Sequence, residues 1–434
     1  MPLRLDARRS GFDVDFVAFL SAKREMERDV DRAVADIIAD VCARGDAALI
    51  DYTRRFDRVA LTPGTLRVPA AEIGAAAGRC APEALAALRF AATRIDDYHR
   101  RQMPADLDYR DAAGVRLGAR WRPVVAVGLY VPGGTAAYPS SVLMNALPAR
   151  VAGVERVVMV VPAPDGVLNP LVLAAAEIAG VHEVYRVGGA QAIAALAFGT
   201  ATLSPVDKIV GPGNAYVAAA KRQVFGTVGI DLVAGPSEVL VVADGANDPS
   251  WIAADLLAQA EHDAAAQAIL IADDEAFADA VVRAVETQLQ SLPRGAIARA
   301  SWDAHGAVIL VDDLGATPAL IDRIAPEHLE LAVERPDELA AKVRHAGAIF
   351  LGRWTPEAIG DYVAGPNHVL PTARSARFAS GLGVLDFLKR TSLIGCDAGA
   401  LAAIGPAAVT LADAEGLHAH ARSVRLRLDP TRGG

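Results

Sequence analysis

The sequence predicts an α/β protein with two Rossmann-like parallel sheets facing each other across a cleft, a helical N-terminal arm and a small C-terminal domain. Three observations carry this. From residue 123 onward, short β-branched runs alternate with Ala-rich runs of helical period, the pattern of parallel strands joined by right-handed helical crossovers. Of the 434 residues, 53% are hydrophobic and only 5% aromatic, a balance that suits helices packed on both faces of a sheet. The length exceeds what one hydrophobic core fills and implies at least two domains.

The elements follow in chain order. Residues 24–44 place charged and apolar residues at helical spacing and stop at Gly45, and 82–101 form a second long helical pattern. Strands are expected at 124–131, 155–161, 184–187 and 208–210, with helices at 141–151, 170–179, 190–198 and 214–225. A second series repeats the scheme, with strands at 238–243, 268–271, 308–311 and 349–351 and helices at 249–262, 275–289 and 337–345. Ala234-Gly235-Pro236-Ser237 breaks the apolar pattern between the two series and marks a boundary. The expected division is an arm at 1–24, one α/β domain from 25–128 with 237–380, a second at 129–236, and a small unit at 381–434. The alternating Val-Arg-Leu-Arg-Leu at 424–428 reads as a final strand or a tail.

The formal charge of −9 comes without a basic patch, which opposes nucleic-acid binding. The longest near-apolar stretch, 398–412, is interrupted by Gly405-Pro406 and is too short to span a bilayer, so no membrane association is expected. The first 16 residues carry no apolar export core. Cys42, Cys80 and Cys396 are odd in number and widely spaced, which suits neither a disulfide framework nor a thiolate metal site. The cytoplasm is the expected compartment.

Three glycine-bearing turns each follow a strand and precede a helix: Tyr130 to Thr135, Gly188 to Gln191 and Gly211 to Asn214. Small residues there let backbone N–H groups and helix N-termini approach an anionic cofactor. Each alone reads as a tight turn. Three at the carboxyl end of one sheet read as a dinucleotide crevice, although no G-x-G-x-x-G is present.

Gln259 and His262 share a helix face by their spacing, and a capping histidine explains that pair on its own. With Asp361 and a C-terminal histidine they make a nitrogen and oxygen set suited to zinc. Glu327-His328 sets a carboxylate beside an imidazole just after Pro326. On an extended chain the two point to opposite faces and can serve different steps, and histidine can accept an alcohol proton near neutral pH. His368 lies in a polar loop after Gly365-Pro366.

Long strings then carry a resemblance. They are YVPGGTAAYPSSVLMNALPARVAGV at 130–154, VGGAQAIAALAFGT at 187–200, KIVGPGNAYVAAAKRQVFG at 208–226 and AGPSEVLV at 234–241, with QAEHD, PEHLEL and GDYVAGPNHVLPT. Over 25–428 the chain resembles the histidinol dehydrogenases. The resemblance implies a cytoplasmic homodimer with shared active sites, binding one zinc per subunit and NAD. It also implies oxidation of L-histidinol through L-histidinal to L-histidine, closing histidine biosynthesis. By motif, Gln259, His262, Asp361 and His420 resemble the zinc ligands, with His420 reaching in from the second subunit. His328 resembles the base for the alcohol and Glu327 the residue that activates water. Ser237, Gln259, His262, His328, Asp361, His368, Glu415 and His420 resemble substrate contacts, and Tyr130, Gln191 and Asn214 resemble NAD contacts. The resemblance thus assigns the zinc and the chemistry to the 25–128 with 237–380 domain and NAD to the 129–236 domain, with 381–434 serving the second subunit's site. Two alternatives are a zinc and NAD dehydrogenase of another polar alcohol, such as a sulfonated diol, and a zinc hydrolase.

Overall fold

A computed structural model of the chain describes residues 1–21, 28–133, 138–233 and 235–429. Two all-parallel sheets dominate. The five-stranded sheet runs Glu183–Tyr185, Arg156–Val160, Ala126–Tyr130, Lys208–Val210, Gly229–Ile230 across its width. Its strand order reverses between Ala126–Tyr130 and Lys208–Val210. The six-stranded sheet runs Leu3–Asp6, Ala307–Leu310, Gln267–Ala272, Glu238–Ala243, His328–Ala332, Ala348–Leu351. Here the reversal lies between Glu238–Ala243 and His328–Ala332. Helices cover both faces, which is why Glu238–Ala243 and His328–Ala332 are buried at every position.

All eight strands expected in the two series are present, with ends shifted by a few residues. The N-terminal arm is not wholly helical: Leu3–Asp6 pairs in parallel with Ala307–Leu310 at the sheet edge, followed by the helix Phe12–Ser21. Residues 22–24 of that arm, Gly134 and Thr135 of the first turn, Ala234 at the boundary and residues 430–434 lie outside the described residues.

The helices of the first quarter pack differently from the expected grouping of 25–128 with 237–380. Arg28–Arg44 lies on Gly189–Phe198 and Ala215–Val224, and Pro82–Arg100 lies on Pro139–Ala152. Val30, Val34, Ile37 and Val41 share a core with Ile193 and Leu196. Both helices therefore pack against helices that belong with the five-stranded sheet. An amphipathic stripe states that a helix must be covered and not by which sheet. The chain also returns late: Val369, Leu382, Val384 and Phe387 belong to the same core as Val127 and Leu129. Arg94, on Pro82–Arg100, fixes this returning segment by donating to the carbonyls of Val363 at 2.6 Å and Ala364 at 3.1 Å.

The C-terminal unit also differs from expectation. Leu388–Gly395 pairs antiparallel with Arg116–Pro123, which pairs with Leu107–Arg110. After it, Ala398–Ala414 and His418–Leu428 form a helical hairpin. The alternation at 424–428 is therefore not a strand. Ala421, Val424 and Leu428 lie at helical spacing, and a Cβ on Gly405 would meet Leu428 Cδ2 at 3.1 Å and Val424 Cγ1 at 3.2 Å. The absent side chain at Gly405 permits this close helix contact.

Beneath the five-stranded sheet's carboxyl edge, Lys221 and Asp231 form an ion pair with side chains 2% and 1% exposed. They grip both ends of one residue: Lys221 Nζ donates to the Gly211 carbonyl at 3.0 Å, and Asp231 Oδ2 accepts from its N–H at 2.8 Å. Lys221→Met leaves the Asp231 carboxylate buried and uncompensated, and is expected to cost roughly 3–5 kcal/mol, measured as a lower denaturant midpoint. His99 provides a pH test. It is buried, its Nδ1–H donates to the Ile95 carbonyl at 2.7 Å and its Nε2 has no partner. Burial holds its pKa below the usual 6.5. The unfolded chain then binds a proton that the folded chain does not, so stability falls as pH drops below 6.5. Below that point wild type should lose up to about 1.4 kcal/mol per pH unit more than His99→Gln, read from unfolding curves between neutral and acidic pH.

Candidate active site

The polar groups converge at the amino ends of two adjacent strands of the six-stranded sheet, Glu238–Ala243 and His328–Ala332. His328 is the first residue of its strand and Glu238 the first of its neighbour. His328 Nδ1 lies 3.0 Å from the Glu238 carbonyl. A carbonyl only accepts, so Nδ1 carries the hydrogen and Nε2 is the face left for a proton. That Nε2 is buried without a hydrogen-bond partner and stands 3.6 Å from Asp361 Oδ1. Glu327 precedes the strand, so the alternation expected for adjacent residues does not separate the pair: its Oε2 lies 3.7 Å from His328 Nδ1. The same oxygen accepts the Glu238 N–H at 2.8 Å.

Burial and charge compete over these groups. Burial would keep the His328 imidazole neutral, but the carboxyls of Glu357, Glu327 and Asp361 outweigh it and lift its pKa well above the usual value. Burial pushes Glu327 up to about 7, against the pull of His328 and the Glu238 N–H. Glu357 rises to about 8, again through burial. Asp361 is held low despite burial, because the His328 imidazole stands beside it and His368 and His262 face it. Burial lowers both His262 and His368. The pocket is thus rich in carboxyls that lack enough positive charge.

Gln259 lies in the last turn of the helix Pro249–Ala260 and His262 follows in the turn after it, with Gln259 Nε2 3.4 Å from His262 Nδ1. Gln259 Oε1 is buried with no hydrogen-bond partner. An orphaned carbonyl oxygen beside imidazoles and a carboxylate is a donor set that fits a divalent cation. His328, Glu357 and Asp361 each offer one ligand atom within 4.8 Å of the others. Asp361 sits in the helix Glu357–Tyr362, and His368 Nδ1 bonds its backbone carbonyl at 2.9 Å. Ser237 is half-buried immediately before Glu238.

Glu415, His418 and His420 are not drawn into this cluster. They are exposed on the C-terminal helical hairpin, where His418 Nδ1 lies 3.4 Å from Asp413 Oδ1. No hydrogen bond or ion pair among the described residues joins that hairpin to the cluster.

The three glycine-bearing turns gather at the carboxyl edge of the five-stranded sheet. Those after Tyr130 and Val210 flank the point where the strand order reverses, where open α/β sheets bind ligands. Gly211 has φ +110, and a Cβ there would strike the Tyr130 carbonyl. Tyr130 is buried, and its hydroxyl accepts the Gly189 N–H at 3.0 Å. Asn214 caps Ala215–Val224 by accepting from the N–H groups of Tyr216 and Val217, and Gln191 is buried in Gly189–Phe198. Tyr130 and Asn214 thus hold their turns in shape, and Gln191 is buried beside them. Ser141, near the start of Pro139–Ala152, lies 3.3 Å from His368 Nε2 and connects this edge to the polar cluster.

Five further groups were not anticipated from sequence: Glu238, Asp255, Glu330, Glu357 and Ser141. The available signal was an acid inside a continuous apolar run, as in Leu329-Glu330-Leu331, because a buried carboxyl needs a partner.

A family profile described as histidinol dehydrogenase matches residues 20–428. The chain is 67% identical over 430 residues to a histidinol dehydrogenase of Rhodospirillum rubrum, covering 99% of both chains. It is 65% identical over 429 residues to that of Rhizobium meliloti, again covering 99% of both. A crystal structure of histidinol dehydrogenase from Elizabethkingia anophelis superposes with a TM-score of 0.95 at 36% identity, covering 100% of this chain and 99% of that one. Neither the sulfonated-diol nor the hydrolase alternative gains support from these likenesses. The chain belongs to the histidinol dehydrogenase family.

Proposed function

We propose that the protein oxidises L-histidinol through L-histidinal to L-histidine, using NAD at the carboxyl edge of the five-stranded sheet and zinc at the polar cluster. The observation that carries this reading is the buried imidazole of His328. Its Nδ1–H is tied to the Glu238 carbonyl, and its unpartnered Nε2 faces Asp361. Gln259, His262 and Asp361 of one subunit, with His420 of the partner subunit, would hold one zinc per site. When bound, zinc supplies positive charge that orients the substrate nitrogens and favours the neutral form of His328. The turns braced by Tyr130 and Asn214, with the buried Gln191 beside them, would hold NAD, which would supply a hydride acceptor for each oxidation.

The chain's own residues then divide the work. His328 Nε2 takes the alcohol proton in the first oxidation, a contribution typically worth about a hundred- to ten-thousand-fold. Glu327 deprotonates the water that attacks the aldehyde, and its pKa near 7 suits a base at neutral pH. Ser237 and His368 line the substrate pocket, and Glu415 of the partner subunit meets the imidazole of the substrate. Burial of the cluster keeps bulk water from the reactive aldehyde between the two steps. The same reading places the enzyme in the cytoplasm as a homodimer, with residues 381–434 completing the neighbouring site.

Purified protein supplied with zinc, NAD and L-histidinol should generate NADH, and absence of that signal would sink the reading. His328→Asn should lower turnover by about a hundredfold or more while zinc and NAD binding persist. Weak zinc retention in that variant would instead make His328 a ligand. His420→Ala and His328→Asn subunits, each inactive alone, should regain about a quarter of wild-type activity after random reassociation into dimers. No recovery on mixing would exclude a shared site.

A further inference from the structure

The buried ion pair of Lys221 and Asp231 has no part in the roles above, yet it holds one of the two turns that flank the reversal point of the five-stranded sheet. Lys221 lies on Ala215–Val224, and helix side chains lean toward the N-terminus, so its ammonium returns to the turn from which its own helix starts. Asp231 follows the edge strand Gly229–Ile230, whose pairing with Lys208–Val210 brings the carboxylate to the same place. Gly211 sits between them, its carbonyl accepting from Lys221 Nζ at 3.0 Å and its N–H donating to Asp231 Oδ2 at 2.8 Å. The other carboxylate oxygen meets the ammonium and accepts the Leu232 N–H at 2.7 Å. Gly211 needs such a grip. Its φ of +110 and its approach to the Tyr130 carbonyl leave no room for a Cβ, but the glycine that meets both demands is also the residue least able to hold one conformation.

We propose that Lys221 and Asp231 are positioning residues for NAD: they fix the Gly211 peptide and so leave the N–H groups that follow it to meet a phosphate of the cofactor. The inference rests on the NAD reading above. Both polar groups of Gly211 are turned into the protein, and Pro212 has no N–H. The next two N–H groups, of the half-buried Gly213 and the exposed Asn214, have no acceptor among the described residues. They lead into the N-terminus of Ala215–Val224, where an anion is favoured. A buried ion pair can often be replaced by apolar side chains without loss of stability, so stability alone is a weak reason for this one. Its bonds to Gly211 supply a stronger reason. The pair touches neither substrate nor cofactor in this account, and acts through the backbone it holds.

A charge-free double variant separates positioning from stability. Lys221→Met combined with Asp231→Leu buries no uncompensated charge, but it strips the Gly211 N–H and carbonyl of partners that they regain only if the turn moves. In the full-length zinc-loaded enzyme, Kd and KM for NAD should rise by about tenfold, the size of one lost hydrogen bond to the ligand. The kcat at saturating NAD should fall by less, while KM for L-histidinol and zinc retention against a chelator stay at wild-type values. Lys221→Met alone keeps the Asp231 acceptor on the Gly211 N–H, so its Kd for NAD should rise by about threefold. It carries the test if the double variant does not fold. Wild-type affinity for NAD in a folded variant would overturn the inference. Equal losses in NAD, L-histidinol and zinc binding would also overturn it, and would make the pair a purely stabilising one. Failure of the wild type to bind NAD in calorimetry would reject the cofactor reading and this inference with it, and that result is read on the wild type alone.

Discussion

The burial of negative charge around His328 is the constraint on which the rest of the site depends. Glu327, Glu330 and Glu357 are each nearly inaccessible, and Asp361 is close beside them. Several carboxylates cannot ionise together in such a place without a large desolvation and repulsion cost. The fold meets that cost in three ways. It sets three histidines, His262, His328 and His368, around Asp361. It turns two backbone N–H groups, of Glu238 and Glu357, onto carboxylate oxygens. It raises the pKa of Glu330 and Glu357, the acids whose burial is least compensated. Charge still remains unbalanced, and the unpartnered oxygen of Gln259 points to the same remedy, a bound cation.

The two sheets meet this need from opposite ends. The five-stranded sheet offers the carboxyl ends of its strands, where glycine turns and helix N-termini favour an anionic ligand. The six-stranded sheet offers its amino ends. At its own reversal point, the carboxyl-end crevice is filled: Asp244 accepts from Arg353 at 2.7 Å and from the Glu334 N–H at 3.0 Å. The returning segment after Asp361 makes the arrangement stiff, because Arg94 and Asn367 tie it to helices of the other sheet. Arg94 reaches Val363 and Ala364 from Pro82–Arg100, and Asn367 Nδ2 reaches the Met144 carbonyl at 2.5 Å. Packing of Pro82–Arg100 against the helices of the five-stranded sheet thus bears directly on where His368 sits.

What was legible in the sequence follows from how local each cause is. The alternation of β-branched and Ala-rich runs is local, and Glu238–Ala243 and Lys208–Val210 fall where that pattern puts them. The hairpin at the C-terminus misleads because Val424, Leu426 and Leu428 alternate with arginines as a strand would, while the deciding contact is to Gly405 in another helix. Glu327 and His328 stood out because they are adjacent polar residues after a proline. Glu330 did not, since one acid within a strand is ordinary until the strand is known to be buried on both faces. Tyr130 and Asn214 were legible as positions but not in their local work, which is bracing turns through Gly189 and a helix cap.

The C-terminal unit shows a different kind of incompleteness. Leu388–Gly395 is largely exposed along its length, and the helices after it bury only Ala400, Gly405 and Ala421. Leu411, Leu417, Leu426 and Ile394 are all at least 40% exposed there. An antiparallel ribbon with so small a core contributes little stability by itself. Its apolar surface needs cover that the described residues of this chain do not provide. A second copy would cover that surface and bring the exposed Glu415 and His420 beside a carboxyl-rich pocket. The surface that lacks cover and the pocket that lacks positive charge would both be answered by the proposed homodimer, in which the sharing of sites would follow from stability as well as from chemistry.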